Sequence, residues 1–201
     1  MDVLVPAARI ERWVANFEDR HGATTLEVRD GRLHGDAADG SWFSAQAPFD
    51  RRVDGAETGA LVHTCVPPED WGVLLVRKGG FAVARLTGET IVESKVGQRH
   101  VQGRTKAGGQ SQQRFARRRD NQARAAYEAA ADHAARIVAD VAILVVGGDH
   151  TAVGEVLEDR RLRTVAAHVV GEFLPVPDPR RSVLEDAVVA ASSVRITVEN
   201  A

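Results

Sequence analysis

Hydrophobic positions recur along the chain with two periods, one helical and one of alternating residues. In AARIERWVANFEDR (7–20), Ile10, Trp13, Val14 and Phe17 fall on one face of a helix, with Gly22 as its stop. TTLEVRDGRLHG (24–35) predicts a hairpin turning at Asp30-Gly31, and GSWFSAQAPF (40–49) and GALVHTCV (59–66) are short strand-like pieces. PPEDW at 67–71 breaks regular structure and is the best internal boundary. Beyond it, GVLLVRKGGFAVARL (72–86) predicts two strands around Lys78-Gly79-Gly80, and ETIVESKVGQRHVQGR (89–104) adds further strand. A loop follows at 103–111 and then a long helix at 112–140, whose inner face carries Phe115, Gln122, Ala126, Tyr127, Ala130, Ala134, Ile137 and Val138. VAILVVGGD (141–149) predicts a buried strand, TAVGEVLED (151–159) a short helix and RTVAAHVV (163–170) a strand. DPRRSVLEDAVVAASS (178–193) predicts a helix capped by Asp178 with Pro179 at its first position, and VRITVE (194–199) a last strand.

Alternating strands and helices place the chain in the α/β class, with a mixed sheet and flanking helices. The boundary divides it into an N-terminal helix and strands (1–66) packing on a main domain (67–201). The 201 residues, 44% hydrophobic and 27% charged, suit a soluble globular protein, with no apolar run near the ~20 residues that span a bilayer. A single cysteine, Cys65, permits no intrachain disulfide, and the N-terminus lacks the pattern of a signal peptide. Both point to the cytoplasm.

Charge changes the picture most. Between positions 95 and 124 lie nine basic residues (Lys95, Arg99, Arg104, Lys106, Arg114, Arg117, Arg118, Arg119 and Arg124) and one acid, Asp120. This window carries +8 in a chain of net charge -2, so the remainder carries -10. A block of this size is the electrostatic footprint of a polyanionic partner. On a helix, positions 114, 117, 118, 121 and 124 form one stripe, Arg-Arg-Arg-Asn-Arg, away from the apolar face. Such a ridge can follow a phosphate backbone.

Directly before the stripe stands Gly108-Gly109-Gln110 in GRTKAGGQSQQ. By itself the tripeptide reads as a surface turn. Beside the arginines it reads as a tip: two residues without a Cβ allow close backbone approach, and Gln110 offers an amide with two donors and an acceptor. A glutamine is no general base at neutral pH. It can position a water or donate to a developing oxyanion, leaving proton transfers to the partner.

The segment GRTKAGGQSQQRFARRRDNQARAAYE (103–128) resembles the catalytic segment of the Vms-like release factor family, in its actinobacterial branch. The order of elements from about 71 onward (hairpin, strand, loop, long helix, strand, helix, strand) is similar too, whereas residues 1–66 carry no motif of their own. The resemblance implies a ribonuclease H-like α/β fold, as in the middle domain of eukaryotic and archaeal class I release factors. It implies peptidyl-tRNA hydrolysis on the large (50S) ribosomal subunit during rescue of stalled ribosomes, with Gly108 and Gly109 admitting the tip to the peptidyl-transferase centre and Gln110 placing the water. Arg99, Arg104, Lys106, Arg114, Arg117, Arg118, Arg119 and Arg124 would then contact RNA. Wider members with altered triplets are linked to cleavage of the tRNA near its end; the intact triplet here favours ester hydrolysis. The zinc-finger, ankyrin and coiled-coil extensions of eukaryotic members are not found in this sequence, nor is a codon-reading domain.

Three readings follow: a peptidyl-tRNA hydrolase, an endonuclease cutting the 3′ end of the tRNA, or a non-catalytic ribosome- or RNA-binding module. All are expected to act as a monomer away from the ribosome, with no membrane and no cofactor. Seven histidines form no HExxH or Cys-His ligand pattern, so no metal is expected. Gly147-Gly148-Asp149-His150-Thr151 lacks the lysine and spacing of a phosphate loop and reads as a helix cap. Cys65 has no base partner and reads as a small buried apolar residue, and Trp13, Trp42 and Trp71 read as core.

Overall fold

A computed structural model describes residues 1–98 and 110–201, with only the backbone described at 98 and 110–122. In chain order the elements are β1 (Asp2–Pro6), α1 (Ile10–His21), β2 (Thr24–Arg29), β3 (Arg32–Ala37), β4 (Trp42–Gln46), α2 (Thr58–Thr64), β5 (Trp71–Arg77), β6 (Gly80–Thr87), β7 (Thr90–Gln98), α3 (Gln110–Ile137), β8 (Leu144–Gly148), α4 (His150–Leu157), α5 (Arg163–Ala166), α6 (Arg181–Ala191) and β9 (Ser193–Glu199). The fold is mixed α/β, with two sheets rather than the single mixed sheet read from the sequence.

The chain forms two compact units: Met1–Pro67 with Val188–Ala201, and Pro68–Ala187. The first is built on an antiparallel sheet of order β1-β9-β4-β3-β2. The last strand thus belongs with the N-terminal residues, where the sequence grouping had it with the main domain. β9 pairs Val194 with Val5 and Ile196 with Ala45, so its alternating side chains complete the core of Ile10, Val14, Phe17, Leu33 and Phe43. The rings of Trp13 and Phe17 meet Phe43 edge-on at 5.2 and 5.0 Å. The β2–β3 turn has φ of 53° at Asp30 and 78° at Gly31, the mirror-image geometry that suits the twist of a hairpin.

Two apolar stretches changed element. Within 59–66 the chain forms α2 (Thr58–Thr64, with Cys65 as its C-cap) and not a strand, because the buried pair Leu61 and Cys65 lies four apart. Residues 163–170 form α5 followed by a single parallel bridge from Val169 to Leu144, so only the end of that stretch is extended. DVLVP at the N-terminus, unassigned from sequence, is the edge strand β1.

Cys65 is 1% exposed, and burial pushes its thiol up to about 11. The thiolate, the reactive form, is therefore scarce near neutrality. Native protein at pH 8 is expected to leave Ellman's reagent uncoloured for hours and to react once unfolded. Prompt reaction of the folded protein would show that the site opens.

The second unit has the sheet order β7-β6-β5-β8, antiparallel through β5 and parallel between β5 and β8. Leu74, Val76, Phe81 and Val83 face Ala130, Ala134, Ile137 and Val138 of α3 in one core, which also holds Val153 and Val156 of α4. At the end of β8 the backbone turns sharply: Gly148 has φ of 110°, and a Cβ there would stand 2.2 Å from the carbonyl oxygen of Val76. Asp149 then caps α4, accepting the backbone N–H of Ala152 at 3.0 Å, which gives Gly147-Gly148-Asp149 a structural role.

The helix read with Asp178 as its cap and Pro179 as its first residue begins two residues later, at Arg181. Asp178 is engaged elsewhere: Arg77 donates to the carbonyl of Val176 at 2.7 Å and lies 3.6 Å from the Asp178 carboxylate, fastening this segment to the end of β5.

Candidate nucleic-acid interface

Gln110 is the first residue of α3, a helix of 28 residues. At 1.5 Å per residue α3 is ~42 Å long. The first described side chain that packs on the core from it is Ala123. Gln110 lies 13 residues, about 20 Å of helix axis, before Ala123. The other root of the loop is β7, whose last residue, Gln98, pairs with Gly80 in the β6 register. The loop between Gln98 and Gln110 thus leaves from the β5–β6 turn end of the sheet.

Gly108, Gly109, Arg99, Arg104 and Lys106 lie outside the described residues. Gln110, Arg114, Arg117, Arg118 and Arg119 lie on the described backbone of α3, so the helix expected from 112 starts two residues earlier and includes the glutamine. Arg124 is exposed. The structure brings these positions together only as members of one helix.

What sequence reading did not find is how the roots are tied down. Arg136, in the last turn of α3, pairs with Glu93 of β7. From α6, Arg181 donates to Ser94 Oγ of β7 at 2.8 Å and to Glu185 at 2.7 Å. Arg161 reaches Asp132 of α3 at 2.7 Å and also holds Asp159. The Arg161 guanidinium and backbone N–H hold the Asp159 carboxyl down at about 2. These are exposed pairs, individually weak because solvent screens them, and they tune the position of α3 more than its stability. The partners that join different elements are 29 to 87 residues apart, which leaves no local signal to read. Among the described residues no group of three or more His, Cys, Asp or Glu is placed to hold a metal ion, and no helix is long and apolar enough to cross a membrane.

Residues 69–197, more than half of the chain, match the family described as Actinobacteria/chloroflexi VLRF1 release factor. The chain belongs to this release factor family. The VLRF1 match takes in the basic window, the Gly-Gly-Gln triplet and α3, and leaves out residues 1–68. No curated protein matches the chain. Two solved structures are similar: an archaeal translation termination factor, aRF1, at TM-score 0.45 and 11% identity, covering 94% of this chain and 63% of that one, and Archaeoglobus fulgidus Pelota at TM-score 0.32 and 11% identity, covering 94% and 62%. This chain therefore spans less than two thirds of either.

Proposed function

We propose that this VLRF1 family member is a ribosome-associated peptidyl-tRNA hydrolase that frees nascent chains from stalled large subunits. The observation that carries the reading is the intact Gly108-Gly109-Gln110 triplet at the start of α3, directly before the arginine stripe. The arginines and Lys106 hold RNA. The glycines let the backbone approach the ester, and Gln110 positions the attacking water and stabilises the oxyanion. No protein acid or base is required in the tip, because substrate and RNA groups carry the protons. The order β7-β6-β5-β8, antiparallel and then parallel, supports a ribonuclease H-like reading of the second unit. The protein works in the cytoplasm, as a monomer away from the ribosome, and needs no cofactor.

The test is product analysis. Purified protein is added to stalled large subunits carrying labelled peptidyl-tRNA, and peptide and RNA are resolved on a gel. Free peptide with full-length tRNA ending in an intact terminal adenosine is expected. A shortened tRNA would make the protein an endonuclease. Salt-sensitive binding with no product would make it a binding module.

A further inference from the structure

A cleft opens on the α3 face of the second unit's sheet and is not used by the chemistry above. Its described lining includes Phe81 of β6, Lys95 and Gly97 of β7, and Ala126, Ala129 and His133 of α3, and it encloses about 210 Å³. That is below the ~300 Å³ at which pockets for drug-sized ligands begin, so it has room for one small planar group.

The cleft is layered. Phe81 sits opposite Gly97 in register, and a Cβ on Gly97 would stand 2.3 Å from the Phe81 ring. The ring therefore lies directly over the edge strand. The imidazole of His133 stacks on Phe81 at 5.5 Å with 26° between the planes. Phe81 is 4% exposed, whereas His133 is half-buried, which leaves the imidazole as the outer plate of the stack. Ala126 and Ala129 precede His133 by seven and four residues, on the same stripe of α3, and their small side chains keep the floor open. Lys95 alternates with Gly97 on the same face of β7 and is exposed at the rim. The described lining contains no carboxylate, and Glu93, next along that face, is taken up by Arg136. An aromatic plate with a lysine at its rim matches a base and its phosphate.

We propose that this cleft receives one unpaired base of an RNA strand, stacked on His133 with its phosphate at Lys95. The proposal rests on the reading above that the basic window contacts RNA. Stacking on an aromatic side chain is tolerant of sequence, so the cleft would serve to hold the strand in register and not to read it.

The probe is a fluorescent single-stranded RNA of roughly ten nucleotides, followed by anisotropy, with an RNA duplex and inorganic polyphosphate as comparisons. His133→Ala is expected to weaken single-strand binding about fivefold to a hundredfold, the loss of one base–aromatic stack, with no change for polyphosphate. His133→Phe should restore it. Lys95→Ala should lower the slope of log affinity against log salt by about 0.7. Melting curves check that each variant folds. Should His133→Ala unfold, photocrosslinking of wild-type protein to the same RNA carrying 5-iodouridine replaces it, with the adduct expected on the peptides bearing Phe81 or His133. Equal binding by His133→Ala, an equal loss on polyphosphate, displacement of the RNA by an uncharged apolar peptide, or adducts confined to other peptides each overturns the proposal. Nascent-chain release measured alongside separates it from the hydrolase reading. Binding through His133 with no release leaves the cleft standing and sinks the hydrolase. Release by a protein whose binding ignores His133 does the reverse.

Discussion

Gln110→Ala is expected to slow nascent-chain release from stalled large subunits by at least about a hundredfold, the loss that follows removal of one preorganised oxyanion donor. The glutamine amide is the polar side-chain group of the triplet, and no titratable group in the triplet can substitute for it. Gly109→Val should be equally severe for a different reason: a branched side chain would keep the backbone from closing on the ester. Melting temperatures are expected to stay at the wild-type value while activity disappears. Single-turnover release, with melting on the same preparations, decides the matter. Release by Gln110→Ala at the wild-type rate would remove the catalytic role of the loop.

Gly148→Ala should show the opposite signature. Its φ of 110° is strained for any residue with a Cβ, and the added carbon would meet the Val76 carbonyl oxygen at 2.2 Å and its carbon at 2.9 Å. Backbone cannot swing aside as a side-chain end can. Forcing this conformation costs on the order of 3 kcal/mol or more, and β5 must shift away from the end of β8. A fall of roughly 10 °C in melting temperature is expected, with release impaired in proportion to the unfolded fraction. An unchanged melting curve would mean that the turn relaxes freely. The two glycine substitutions thus separate a backbone that must approach a partner from one that must fit its own fold.

The residues explain how far the sequence could be read. The β2–β3 and β5–β6 hairpins, β8 and the body of α3 announce themselves by local periodicity and turn chemistry, and all appear in the structure. Residues 59–66 could satisfy either period; tertiary burial of Leu61 and Cys65 selected the helix. Asp178 looked like a cap because Pro179 follows it, yet its contact with Arg77, a hundred positions away, moved the start of α6. The sheet membership of β9 had no local signal at all, since its partners lie in the first 46 residues. The features that nominate the candidate site, a triplet, a charge block and a helical stripe, are all properties of contiguous sequence. The stacked plate of His133 on Phe81 was not legible, because it joins residues 52 apart on different elements.

The placement of β9 between β1 and β4 also fixes an order of events during synthesis. β1 is made before the rest of its sheet but meets its neighbour only once β9 has been made, from Ser193, the partner of Pro6, to Thr197, the partner of Asp2. The loop closed by that pairing enfolds every residue of the second unit, which is complete by Ala187. Closing so long a loop is entropically costly and late. The second unit is therefore complete before the first can close, and a chain ending short of β9 would leave β1 without its partner strand.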